Sequence, residues 1–239
     1  MDKGHGQWGL KWFFFRKLLG FSPFFIFFFF TAALFFLVWS EADIWFSALF
    51  WNPETDFFLR SHFFARFIFI SVEWLCYGLG GFLLIWAFAF WLFPPVRRLG
   101  GGRFLLFALL LLVLGPGLVV NFIFKDHWGR ARPVQIESFG GKALFTPAFV
   151  MAGECQRNCS FASGHASAAA WLLCLALFAR IRKYKKQMIA AGWLYFVLVG
   201  MGRIVQGGHF LSDVIFALLF VYMVAVFLER AFWPKASSP

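Results

Sequence analysis

An all-α integral membrane protein with six transmembrane helices is the fold class this sequence predicts, on three observations. Hydrophobic residues make up 62% of the 239-residue chain, with 39 Phe and 12 Trp against 14% charged residues. A soluble domain of that size has too small a core to hide so much apolar surface, so the solvent is lipid. Apolar runs at 21–40, 66–93, 104–124, 161–179, 187–202 and 211–229 are parted by charged or turn-rich breaks. Each approaches the roughly 20 residues that cross a bilayer as a helix, the fifth being the shortest. Finally, the Lys and Arg residues sort by side of the membrane rather than scatter.

Six spans put both termini on one side. Lys3, Lys11, Arg16 and Lys17 precede the first span, and Arg97, Arg98 and Arg103 flank the loop 94–103. Arg180, Arg182, Lys183, Lys185 and Lys186 fill the fourth-to-fifth connection, and Arg230 and Lys235 follow the last span. These are 14 of the 22 cations, and the richer face is expected to be cytoplasmic. The net charge of +11 is therefore explained by topology and does not call for nucleic acid. Glu41, Asp43, Glu54, Asp56, Asp126, Glu137 and Glu154 fall on the opposite face.

The first span is expected to be retained rather than cleaved as a signal peptide, since it lacks a small-x-small site. Before it, residues 1–20 with Trp8, Trp12, Phe13 to Phe15, Lys11, Arg16 and Lys17 suit an interfacial helix on the cytoplasmic leaflet. A basic flank with an aromatic belt accounts for them nearly as well. Gly100 to Gly102 read as a flexible turn, because no strand precedes them and no Lys-Ser/Thr follows. With no repeat, low-complexity tail or long linker, residues 1–239 are expected to form one domain, with 134–158 as a loop on the outer face.

Three polar clusters lie at the ends of apolar runs on that outer face. The first is Lys125-Asp126-His127-Trp128-Gly129-Arg130-Ala131-Arg132-Pro133. Cations at a span end often only anchor a helix by snorkelling, which suits Arg130. It suits Lys125 and Arg132 less well, because Pro133 would hold Arg132 in one pose and its planar fork donates paired hydrogen bonds to an oxyanion. The second is Ser163-Gly164-His165, opening the fourth span. Small residues there let an anion approach the free N–H groups of a helix start. An ordinary helix start with Ser160 as N-cap is the plainer reading. His165 is placed to protonate a leaving alkoxide. The third cluster is Arg203, Gly207-Gly208, His209 and Asp213. Four residues apart on one helical face, Asp213 is expected to accept the imidazole N–H of His209 and leave the other nitrogen free to attack phosphorus. An interfacial His–Asp cap is what the pair alone would suggest.

Together the clusters resemble the signature of the type 2 phosphatidic acid phosphatase (PAP2) superfamily. Lys125 to Pro133 matches its Lys, six residues, Arg-Pro motif. Ala162-Ser163-Gly164-His165 matches Pro-Ser-Gly-His except in the first residue. Gly202-Arg203 through His209 to Asp213 matches the third motif except at its Ser. The resemblance implies a PAP2-like helical bundle with the active site at the periplasmic surface. It implies His209 as nucleophile forming a phosphohistidine, Asp213 orienting it, and His165 as acid and then base. Lys125, Arg132, Arg203, Ser163 and Gly164 would hold the phosphoryl oxygens. No metal or other cofactor is implied, since three cations supply the charge placement that loose phosphoryl-transfer transition states need.

The implied substrate is a membrane lipid phosphate, and the implied location the bacterial inner membrane. The stretch from Phe145-Thr146-Pro147 to Cys155-Gln156-Arg157-Asn158-Cys159-Ser160-Phe161 is most similar to bacterial lipid A phosphatases. Undecaprenyl diphosphate, phosphatidylglycerophosphate and phosphotransfer to a lipid acceptor are the rivals. Lys142 and Arg157 either meet further phosphate on a large saccharolipid or are solvated loop charge. Cys155 and Cys159 lie where a disulfide is permitted, two free thiols being the alternative. Cys76 and Cys174 read as packing residues. A transporter or lipid-binding protein without turnover is the reading from another class. Glu73, the clearest charge inside a span, would be its only pathway residue. No protein partner can be inferred.

Overall fold

The computed structural model describes residues 21–98 and 101–234. The interfacial reading of 1–20, together with Gly100 and Lys235, lies outside the described residues. Helix α1 (Pro23–Val38) starts on Ser22, whose hydroxyl accepts from Phe25 N at 3.1 Å, with Pro23 at the first helical position. It turns by 81° into α2 (Glu41–Ala48). A short hairpin, β1 (Trp51–Asn52) with β2 (Asp56–Phe57), follows. Then come α3 (Phe63–Leu92), α4 (Pro94–Arg98), α5 (Gly102–Lys125), α6 (Gly164–Phe178), α7 (Lys185–Val205) and α8 (Leu211–Phe232).

Helices α3, α5, α7 and α8 are long and apolar enough to cross a membrane, and α1 with α2 makes a fifth candidate as one bent span. Where the sequence suggested a span at 161–179, α6 begins at Gly164 and has 15 residues. At 1.5 Å per residue that is roughly 22 Å, short of a hydrocarbon core of about 30 Å. Its N-cap is Ser163, not Ser160: the Ser163 hydroxyl accepts from Ala166 N at 3.3 Å. Residues 160–163 instead run as a non-helical lead-in that serves the site.

Burial ranks the helices. In α8, 56% of the most apolar window is buried, against 11% in α3. Ala166, Ala168, Ala169, Ala170 and Cys174 of α6 are buried too, and their small side chains let α7 and α8 approach closely. Trp171 Nε1 donates to the Ala108 carbonyl at 2.9 Å and pins α6 to α5. On α3, Phe63, Trp74, Tyr77, Ile85 and Trp91 are exposed, as lipid-facing side chains should be. Between these layers Phe124 stacks on Phe220 at 4.4 Å, inside a knot with Phe149, Phe161 and Phe216.

The second half of α5, Val113–Lys125, is wound as a π-helix. Pro116 lies within it, lacks an N–H and crowds the preceding turn, so regular α winding fails there. Asn121 Nδ2 donates to the Pro116 carbonyl at 2.7 Å. The wider winding brings Asn121 and Lys125 together against Gly164, as described next.

Candidate active site

The three clusters converge because the backbone ties them together. Ser160 N donates to Arg130 O at 2.8 Å, Val134 N to Gly207 O at 3.1 Å, and Ser163 N to Asp213 O at 3.1 Å. Each bond joins a different pair of clusters, so none moves alone. Cys155 and Cys159 are bridged, and Cys159 N donates to Lys125 O at 2.9 Å. The bridge therefore closes a small loop against the end of α5, which settles the alternative of two free thiols.

His209 is fully buried. Its Nδ1 lies 2.8 Å from the Ser160 carbonyl. A carbonyl only accepts, so Nδ1 carries the proton and Nε2 carries the lone pair. The Asp213 carboxylate is 3.6 Å from Nδ1, too far for a hydrogen bond. This corrects the expected pairing: α8 begins at Leu211, so His209 precedes the helix and shares no helical face with Asp213, and the nearer Ser160 carbonyl takes the bond. Burial, and then the charges of Arg203, Lys125 and Arg132, push the His209 imidazole well below the usual histidine range. It is neutral at pH 7. Nε2 of His209 and Nε2 of His165 are both buried without a hydrogen-bond partner among the described residues.

The cations surround these two rings. Arg203 donates to Gln206 Oε1 and lies over the Phe69 ring at 4.8 Å, while its Nε is buried and unpartnered. The Phe69 ring also stacks on His165 at 4.3 Å, so one aromatic of α3 supports both groups. A side chain at position 208 would collide with the Arg203 guanidinium, which is why the turn needs Gly208. Arg132 donates through Nη2 to the Asn158 carbonyl at 2.8 Å, and burial holds it below the usual arginine range. A Cβ on Gly164 would lie 2.7 Å from Asn121 Oδ1 and 3.1 Å from Lys125 Nζ. Lys125, Asn121, Gly164 and His165 line a cavity of about 350 Å³ together with the apolar Val72, Leu112, Pro116 and Ala168. Glu73 lies on its rim. Ser163 is less free: its hydroxyl caps α6 and its N–H serves the Asp213 carbonyl.

Arg130 is not a snorkelling anchor. It is fully buried, and its guanidinium donates to Thr146 O at 2.8 Å, Ser212 Oγ at 2.8 Å, Asp213 Oδ1 at 2.6 Å and Asp43 Oδ2 at 2.8 Å. Its face lies 4.3 Å over Phe210. Asp213 Oδ2 accepts from Ser160 Oγ at 2.5 Å and from Phe210 N at 2.8 Å. Sequence reasoning missed this role, and missed Phe69, Asn121, Ser160 and Ser212 as well. The small neighbours Gly129 and Ala131 were the available signal that Arg130 points inward. For Phe69, inside an apolar run, there was none. Among the described residues no group of three His, Cys, Asp or Glu side chains could hold a metal ion.

Two nitrogen-lined rings inside a nest of cations, at the ends of membrane helices, define a phosphate-handling membrane protein. The PAP2 superfamily profile matches residues 103–236, and the chain belongs to that superfamily. It is a phosphatase and a multi-pass membrane protein. Among curated relatives, a lipid A 4'-phosphatase of Francisella tularensis subsp. novicida is 38% identical over 204 residues, 81% of this chain and 87% of the relative. Lipid A 4'-phosphatases of Rhizobium leguminosarum and Rhizobium etli are 44% and 45% identical over 109 and 103 residues. Those two alignments cover 45% and 43% of this chain, and 46% and 40% of the relatives. No solved structure matches the chain.

Proposed function

We propose that the protein removes the 4'-phosphate of lipid A at the periplasmic face of the bacterial inner membrane, through a phosphohistidine on His209. The observation that carries the mechanism is the unpartnered Nε2 of His209, with its tautomer set by the Ser160 carbonyl, inside the nest formed by Lys125, Arg132 and Arg203. The relatives' shared activity supports the substrate.

In the first step Nε2 forms a P–N bond as the bond from phosphorus to the sugar oxygen breaks. His165 gives that oxygen its proton. In the second step His165 takes a proton from water, whose oxygen attacks phosphorus and releases inorganic phosphate and free His209. Lys125, Arg132 and Arg203 hold the non-bridging oxygens, with the N–H of Gly164 at the open end of α6 and Ser163 fixing that end. Arg203 and His165 keep unpartnered nitrogens that an anion's oxygens would satisfy. The apolar part of the cavity lining, Val72, Leu112, Pro116 and Ala168, suits acyl chains.

The chain acts as one domain with six spans: α6 completes the bundle between α5, α7 and α8, and its cation-rich exit at 180–186 faces the cytoplasm. The test is phosphate release from lipid A by detergent-purified protein in EDTA, beside undecaprenyl diphosphate, phosphatidylglycerophosphate and phosphatidic acid. Release from lipid A, absent in His209→Ala, is expected. Release that prefers another lipid would sink the substrate assignment, and a requirement for magnesium would sink the mechanism.

A further inference from the structure

Besides Phe69, the segment ahead of the superfamily-matched region reaches the site through a charged side chain. Asp43, on α2, is fully buried. Its Oδ1 accepts from Ser212 N at 2.9 Å, and its Oδ2 accepts from Arg130 Nη2 at 2.8 Å and from the Ser212 hydroxyl. Both oxygens are met by donors, which is the pattern of an ionised carboxylate. Asp43 does not line the cavity, and among the described residues Arg130 is the cation it pairs with.

Arg130 is thus held between two carboxylates, Nη2 on Asp43 and Nη1 on Asp213. With both carboxylates ionised, the buried trio carries one net negative charge. Paired with Asp213 alone, Arg130 would neutralise it. With Asp43 drawing on the far side of the guanidinium, Asp213 keeps charge for its other neighbours. Those are Phe210 N at 2.8 Å, Ser160 Oγ at 2.5 Å, whose own carbonyl takes the His209 Nδ1–H, and Nδ1 itself at 3.6 Å. When Nε2 of His209 takes the phosphoryl group, the ring keeps its Nδ1 proton and becomes a cation. A surplus negative charge on that side of the ring is what this change of charge needs. A charge this far inside the protein is also costly to keep without a purpose.

We propose that Asp43 is a positioning residue for phosphoryl transfer, dividing the Arg130 charge so that Asp213 and Ser160 hold His209 as the Nδ1–H tautomer and stabilise its phosphorylated form. The proposal deepens the phosphohistidine reading and rests on it for the rate effect alone.

The test is rapid-mixing measurement of phosphohistidine formation by Asp43→Asn and Asp43→Glu, with 15N-His spectra of the same proteins without substrate. For Asp43→Asn the expected result is a rate constant per active site lower by roughly 10- to 100-fold, with KM little changed. Its His209 15N signals should show mixed tautomers where the wild type shows one. Asp43→Glu keeps the charge and should recover most of the rate. If the Asn variant does not fold, Asp43→Ser, which removes the charge but keeps a hydroxyl beside Arg130, is read in the same way: a lowered rate constant with mixed tautomers supports the proposal, and an unchanged rate constant with one tautomer overturns it. A role in stability alone would lower the amplitude, which counts folded sites, and leave the rate constant and the tautomer unchanged. That outcome for Asp43→Asn overturns the proposal. Wild-type protein that forms no phosphohistidine yet shows the tautomer contrast would sink the phosphatase mechanism while supporting Asp43 as the group that orients His209.

Discussion

Replacing Arg130 by Met keeps much of the side-chain volume and removes the guanidinium. Four hydrogen bonds go with it, to Thr146 O, Ser212 Oγ, Asp213 and Asp43. Asp43 would keep its bonds from Ser212, and Asp213 those from Ser160 and Phe210, but neither carboxylate would have a cation. Breaking a fully buried pair from one side costs about 3–5 kcal/mol, because a charge is left uncompensated. For a chain of this length that is a fall in melting temperature of roughly 6–20 °C. The instructive partner is Arg132→Met. Arg132 is half-buried and donates to one loop carbonyl, Asn158 O, so its loss should cost no more than about 1.5 kcal/mol. Both variants should lose activity, Arg132→Met with little loss of stability. Thermal unfolding in detergent followed by far-UV circular dichroism, beside phosphate release, separates them. Arg130→Met melting within about 2 °C of wild type would refute the view that the buried charge cluster holds the site together.

Gly164→Ala should lower kcat/KM by roughly 100-fold, the usual effect of misplacing a catalytic group by about 1 Å, because the methyl would meet Asn121 Oδ1 and Lys125 Nζ. The 2.7 Å approach to Asn121 Oδ1 forces the Asn121 amide off the Pro116 carbonyl or displaces the start of α6, and Lys125 Nζ at 3.1 Å must give as well. Melting should change little, and full activity would show that Lys125 needs no such placement. Acid should also expose His209. Its folded-state pKa is depressed, so below the unfolded value of about 6.5 the unfolded chain binds more protons. The stability it contributes is fully present above that pH and lost as pH falls toward its folded pKa. Wild type should therefore lose melting temperature between pH 7 and 5 faster than His209→Gln; parallel curves would contradict the neutral, buried assignment.

Much of this was legible because membranes and phosphates impose blunt constraints. The apolar runs gave the helices nearly end for end, and α7 and α8 begin and finish within three residues of the predicted runs. The motif spacings named His165, His209, Lys125, Arg132 and Arg203, which the fold does bring together. What stayed hidden has two physical causes. Contacts across long sequence distances leave no local periodicity, so Asp43 with Arg130, 87 residues apart, and Phe69 with His165 could not be found from spacing. Helical-face arguments also assume that both residues lie in the helix, whereas His209 precedes α8 and its Nδ1 meets Ser160 O instead of Asp213. The fourth run was drawn three residues too early because hydropathy does not distinguish helix from the non-helical lead-in of Ser160 to Ser163.

The central claim is a covalent phosphate on His209, and trapping it is the most direct measurement. Protein mixed with 32P-labelled lipid A, quenched in alkali within the first turnover and mapped by peptide mass spectrometry, should carry an acid-labile, alkali-stable phosphate on His209. His165→Ala should accumulate or slow that species, and His209→Ala should lack it. Rapid phosphate release with no labelled histidine at any time, or a label on another residue, would contradict the account.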